Sequence, residues 1–344
     1  MRVRLSLVVY RVIFLALILS IFLQPVLVGA EGFGPFPVRN FQAFQQMVLS
    51  LPGDRAAVVK PGTLDVRFEL AETASIYNEQ TPQASVNVKF ETLRSGLFLR
   101  YGATDKLELG LEVPVLYRYE GFMNGAITVV EQATNRLNPA RDVLKNANFL
   151  FNVTRNGQTI MNGGPGALGL GDTILMSKYQ FLMEGAAMPG VSLRGAVKLP
   201  TGNQADFFGS GSPDFGLGLA VEKLVAGRWI LYANMTGVVP TGTIAGLSLQ
   251  PTFSGLAAIE YLWSENLSIT THFDYYSSPF DLTGINTFDK DVTETVLGFN
   301  YRVVPHFLWQ VYAVENLDFI RGSAADFTLS TVFTYRFEPG ASRQ

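Results

Sequence analysis

The 344-residue sequence predicts an all-β protein, a transmembrane antiparallel up-and-down barrel of about twelve strands, on three observations. Apolar residues make up 48% of the chain, yet after residue 30 they never form the run of ~18 that a membrane helix needs. Segments of about ten residues instead alternate strictly between apolar and polar, the mark of a strand whose faces meet different surroundings. The breaks between segments alternate between short and long, as periplasmic turns and external loops do in bacterial barrels. In hydrocarbon only a closed sheet pairs every backbone donor and acceptor of a strand. A soluble β-sandwich has no reason to alternate its loop lengths in this way.

Residues 1–30 open with Arg2, Arg4 and Arg11, continue through an apolar run over 12–23 and end on Val28, Gly29 and Ala30. This is the pattern of a secretory signal peptide cut after Ala30, which implies delivery to the outer membrane of a Gram-negative bacterium. An uncleaved anchor is the alternative, but Gln24 and Pro25 break the helix just before the small residues. With no cysteine, a lipoprotein anchor and disulfides are excluded. The net charge of -3 comes from scattered residues, so neither nucleic acid nor a polybasic membrane contact is expected.

Strands are expected at 63–76, 84–103, 105–117, 168–184, 190–200, 213–225, 227–239, 250–263, 266–277, 292–303, 306–316 and 326–337. The third is the clearest: Leu107, Leu109, Leu111 and Val113 share one face, and Lys106, Glu108, Gly110 and Glu112 the other. In the second, the outward parity of Val86, Val88 and Phe90 does not continue into Leu97, Leu99 and Tyr101, which predicts a bulge over 92–96. Short turns fall at 103–105, 184–190, 226–227, 264–266 and 304–305. Longer connections fall at 78–83, 118–167, 201–212, 241–249, 278–291 and 317–325. The chain then divides into a signal peptide (1–30), an N-terminal periplasmic or plug segment (31–62), the barrel (63–337) and a polar tail (338–344).

Aromatics at strand ends read as interfacial girdles: Tyr117, Tyr119, Trp229, Tyr261, Trp263, Tyr275, Tyr276, Trp309, Tyr335 and Phe337. The plainer reading is that they are ordinary strand formers. Phe333, Tyr335 and Phe337 also close the last strand like the signal that the barrel-assembly machinery reads, although a polar tail follows and Val332 stands where such signals often carry glycine.

Three stretches resemble a bacterial family named only as domain of unknown function 3187. They are Gly34-Pro35-Phe36-Pro37-Val38-Arg39-Asn40, then Leu99 through Pro114 (LRYGATDKLELGLEVP), then Gly121-Phe122-Met123-Asn124-Gly125. Weaker similarity continues through Gly171-Asp172 and Lys178-Tyr179-Gln180 to the final strand. The resemblance implies an outer-membrane barrel and says nothing of a substrate.

Gly164-Pro165-Gly166-Ala167-Leu168-Gly169 matches G-x-G-x-x-G in letters, but it carries a proline and leads into a strand, so it reads as a loop turning back into the barrel. The N-x-S/T triplets at Asn152, Asn234 and Asn266 are chance matches. His272 and Asp274, on one face of a strand, are the single arrangement resembling a general base, and no serine stands at the spacing of barrel phospholipases. No catalytic, metal or cofactor residue is assigned and no cofactor is expected.

Residues expected to line the lumen are Arg67, Glu69, Glu112, Lys178, Lys198 and His272. They either brace a narrow interior through salt bridges or form a wet constriction that sorts solutes by charge, and the small size of the barrel favours bracing. Phe122, Ala126, Ile127, Val130, Ala133 and Leu137 recur at helical spacing and suggest a helix over the external mouth. Phe41 to Leu51 suggests a second short helix under or inside the barrel, and for both helices plain surface packing is the alternative. The expected role is a partly occluded channel or small-solute transporter, in contact with outer-membrane lipid, lipopolysaccharide and an unknown small solute. The alternatives are a membrane-embedded hydrolase acting on lipid or peptide, and a structural or adhesive barrel.

Overall fold

A computed structural model describes residues 31–280, 282–317 and 324–339, so the expected signal peptide and residues 340–344 of the tail lie outside the described residues. In chain order the first nine strands are β1 Leu64–Gln80, β2 Ala84–Gly102, β3 Leu107–Tyr119, β4 Leu150–Arg155, β5 Gln158–Asn162, β6 Ala167–Leu170, β7 Thr173–Leu182, β8 Gly190–Leu199 and β9 Asp214–Ala226. The remainder are β10 Trp229–Pro240, β11 Thr243–Ile244, β12 Leu247–Ser248, β13 Thr252–Leu262, β14 Leu267–Tyr276, β15 Val292–Val304, β16 Phe307–Asn316 and β17 Phe327–Phe337. Twelve of them form one antiparallel ring, β1-β2-β3-β7-β8-β9-β10-β13-β14-β15-β16-β17, which closes from Leu64↔Phe337 to Ala74↔Phe327. The class expected from alternation is therefore the class observed. No helix among the described residues is long and apolar enough to cross a membrane, and the spanning is done by strands.

Burial follows the alternation. On β3, Leu109 is 46% exposed on the outer wall, whereas Glu108 and Glu112 point inward and are buried. The outer wall is apolar, with Phe68, Leu97, Leu193, Leu217, Phe273 and Leu329 among its exposed residues. Tyr101, Trp263, Tyr301, Tyr335 and Phe337 ring the end that carries the short turns. Tyr276 is a correction: it has the inward parity of His272 and Asp274, and it is buried in the lumen instead of joining a girdle.

The expected bulge in β2 is absent, since the register with β1 runs unbroken from Leu64↔Tyr101 to Gln80↔Ser85. Val86, Val88 and Phe90 are fully buried and face inward, while Leu97 and Tyr101 face outward. What changes along the strand is the content of the barrel, polar lower down and apolar near the external end. The connection at 78–83 is also shorter than expected, because β1 and β2 continue past the wall as a hairpin. Strand β4 pairs on β2 from Ala84↔Arg155 to Lys89↔Leu150, and β5 pairs on β4. The strand expected over 168–184 is split into β6 and β7 where Asp172 turns inward.

The long loop 118–167 contains the helix Met123–Ala133 and a single turn of helix, Pro139–Val143. These do not cover the mouth. They lie against the outer side of β1 and β2, where Ala140 and Leu144 pack on Ile76, a residue of lipid-facing parity. The expected apolar stripe is not the packed face, since within the helix only Met123 is buried. The mouth is filled instead by an apolar cluster that includes Val86, Phe90, Phe151, Met161, Leu247 and Phe288.

Candidate functional site

The segment 31–62 has no strand and lies within the barrel. It enters at the short-turn end, where the Phe33 and Gly34 amides donate to Glu260 (3.1 and 3.3 Å). It climbs past His272, whose Nε2 accepts from the Phe36 amide at 3.0 Å, and past Glu112, which pairs with Arg39 at 2.7 and 3.0 Å. At the top Phe44 packs edge-on to Phe288 and tilted to Phe151, with ring centroids 4.7 and 5.9 Å away. The chain then descends. The Leu49 amide donates to Asp214 (2.8 Å), Arg55 pairs with Glu222 (3.2 Å) and the Val59 amide donates to Glu108 (2.8 Å), just before β1 begins at the same end. The helix expected over 41–51 is a correction: the chain makes successive turns there, such as Gln45 N–H to Gln42 O at 2.9 Å.

Small residues in the wall make room for this hairpin. A Cβ on Gly216 would lie 2.8 Å from Leu51 and 3.0 Å from Leu49, and one on Gly102 would lie 2.1 Å from the Lys60 carbonyl oxygen. Between Asp54, Arg100, Glu108, Lys178 and Arg194 a cavity of about 30 Å³ remains, room for one or two waters.

All six residues expected in the lumen face it. Glu69 pairs with Arg94 (3.1 Å), and Arg94 also pairs with Glu112. The guanidinium carbons of Arg39, Arg67 and Arg94 stand 5.7, 5.7 and 5.8 Å from the centre of the Phe98 ring, so this knot of positive charge is set on an aromatic face. Lys178 lies 3.0 Å from Asp54 and 3.3 Å from Glu108. Lys198 lies 2.9 Å from Asp214 and 3.0 Å from Asp172. The six therefore do not share one ring: Glu69 and Glu112 belong to the central knot, Lys178 to a lower layer and Lys198 to an upper one.

His272 sits on the opposite wall. Its ring is stacked on Phe36 at 5.3 Å, and with Nε2 accepting a hydrogen bond the Nδ1 nitrogen carries the proton and faces Asp274 Oδ2 at 3.6 Å. Asp274 is the cross-strand neighbour of Glu294. Both Glu294 oxygens and the Tyr276 hydroxyl are buried with no hydrogen-bond partner among the described residues.

Sequence reasoning missed the partners. Arg39 and Asp54 lie in a segment whose location alternation cannot reveal, and Arg94 lies where a bulge was expected. A signal was present: Gly34 to Asn40 carries a charge among apolar residues and prolines with no periodicity of its own. Arg118 was missed too. It is buried among Phe90, Phe151 and Phe208, 4.9, 4.7 and 4.9 Å from their centres, and ties β3 to the apolar cap.

These features define a transmembrane β-barrel with its own N-terminal hairpin inside. The chain belongs to the family described as "Protein of unknown function (DUF3187)", whose profile matches residues 11–337. Among solved structures it is similar to the COG4313 outer membrane channel from Pseudomonas putida F1, at 16% identity and TM-score 0.56, over 84% of this chain and 100% of that one. It overlaps less closely with the KdgM porin (8% identity, TM-score 0.41, 80% and 99% covered) and the toluene transporter TodX of P. putida (10%, 0.34, 88% and 99%). No curated protein matches the chain.

Proposed function

We propose that the protein is a gated outer-membrane channel for small solutes and that the segment 31–62 is its internal gate. The observation that carries this reading is the way the hairpin is held. It enters and leaves by the same end and contributes no strand to the wall, so it can withdraw without breaking a barrel ladder. Ion pairs and amide–carboxylate bonds, which water can replace, hold its two legs, while its tip packs Phe41, Phe44 and Met47 into apolar clusters that withdrawal must expose. The carboxyl group of Glu294 and the hydroxyl of Tyr276, unpartnered among the described residues, fit the same reading, because such groups are costly in a dry interior and are satisfied once the lumen fills with water. A resemblance to a structure described as a channel is in keeping with it. Delivery by the signal peptide and insertion by the barrel-assembly machinery belong to this proposal.

The hydrolase reading gains no support, since the free nitrogen of His272 is taken by a backbone amide and its ring face by Phe36. The test is single-channel recording in planar bilayers. The full chain should be mostly closed, and a variant lacking 31–54 should conduct steadily. A deletion variant that assembles and stays silent would refute the gate and leave a structural barrel.

A further inference from the structure

The helix Met123–Ala133 is amphipathic, and it is mounted with its polar side toward the protein. Asn124 bonds Glu91 through its amide and its side chain (both 3.0 Å), and Glu131 takes Arg141 Nε at 2.7 Å and the Asn138 amide at 3.1 Å. The apolar side faces away: Phe122 is 73% exposed, Val129 64% and Val130 62%, with Ala126 and Ala133 exposed between them. Val143, beyond the helix, is 63% exposed. In a water-facing loop this orientation would be reversed, because apolar surface is driven inward.

The mounting point explains the inversion. Glu91, Lys89 and Ile76 all have lipid-facing parity on β1 and β2, yet Glu91 and Ile76 are buried because the loop covers them. Glu91 accepts from the Phe122 and Met123 amides (both 2.8 Å), and Lys89 donates to the Leu144 carbonyl (3.0 Å). Glu91 is also in register with Tyr119, which stacks on Tyr117 at 5.1 Å at the external edge of the apolar wall. The exposed face of the helix thus continues the lipid-facing surface formed by Leu97, Tyr117, Leu168 and Leu329.

We infer that this helix is an interfacial membrane anchor, lying in the outer leaflet with Phe122, Val129 and Val130 among the lipid acyl chains. The occupant is lipid, because the patch is continuous with the wall that lipid already covers and lies at the level of the aromatic girdle. This inference rests on the membrane reading of the barrel and is independent of the gate.

Because the chain has no cysteine, single nitroxide labels report cleanly. The full chain carrying Val130→Cys, Leu97→Cys or Gln83→Cys would be labelled and reconstituted in phosphatidylcholine–phosphatidylglycerol vesicles. Collision with oxygen would then be compared with collision with a water-soluble nickel complex. Labels at Val130 and Leu97 should both favour oxygen, and the label at Gln83, on the external β1–β2 turn, should favour nickel. A nickel-accessible Val130 beside an oxygen-favouring Leu97 would overturn the anchor, whereas nickel access at both would overturn the barrel orientation. Dipolar broadening between singly labelled chains at Val130 would show that a second copy covers this face, which also overturns the proposal.

Discussion

Glu112 joins the hairpin to the wall, because it accepts from Arg39 of the hairpin and Arg94 of the wall at once. Glu112→Ala leaves Arg39 facing an apolar ring and Arg94 with Glu69 alone, so a loss of about 3 to 5 kcal/mol is expected for the broken buried pair. The midpoint of urea unfolding in detergent measures it, and a wild-type midpoint would mean that water replaces the carboxylate at no cost. On the outer wall the governing energy is transfer to lipid. Leu109→Arg should cost roughly 2 to 4 kcal/mol near mid-depth and reduce assembly, while Gly110→Arg avoids lipid but meets Met176, 3.3 Å from where its Cβ would lie. Parity was legible at Leu109 because lipid and lumen differ there. It was misread at Val86, Val88 and Phe90 because an apolar lumen looks, in sequence, like an outward face.

At the scale of elements, alternation located the barrel strands because each has two distinct faces, and it failed wherever an element has one environment or three. The tip of the hairpin is buried on nearly all sides, so the spacing of Phe41, Phe44, Met47 and Val48 reports close packing and no helical face. The loop helix has lipid, protein and water around it, and its stripe marked the lipid side. This loop is pinned to the barrel by Asp326, which accepts from Asn138 at 3.2 Å and pairs with Arg141. Burial pushes the Asp326 carboxyl up to about 6, with Glu131 adding to the rise and Arg141 opposing it. A carboxyl whose pKa is higher when docked than its ordinary 3.8 holds its proton in the docked state. Docking is therefore tightest at low pH and weakens as pH rises from about 4 through 6. A nitroxide at Val143→Cys should gain mobility over that window, and Asp326→Asn should flatten the profile. A wild-type chain with no change from pH 4 to 7 would show that the carboxyl titrates alike in both states.

Across the whole molecule, ring and contents depend on different forces, and this is why one was readable and the other was not. Closure demands a long ladder on both sides of every strand, and that requirement is written repeatedly along the chain as alternation and loop length. The hairpin and the apolar cap are joined to the ring through contacts between residues far apart in sequence, such as Arg39 with Glu112 and Phe44 with Phe288, which leave no local pattern. The two should also separate in experiment. Opening the seam between β1 and β17 means unpairing the register from Leu64↔Phe337 to Ala74↔Phe327 together, in a medium that cannot satisfy the freed groups. The barrel should therefore survive dodecyl sulfate at room temperature and migrate differently on a gel before and after boiling. Because residues 31–54 lend nothing to that ladder, a variant lacking them should keep the same shift even as its lumen opens. Loss of the shift on deletion would mean that the contents hold the ring closed, and the hairpin would then be a structural core instead of a movable part.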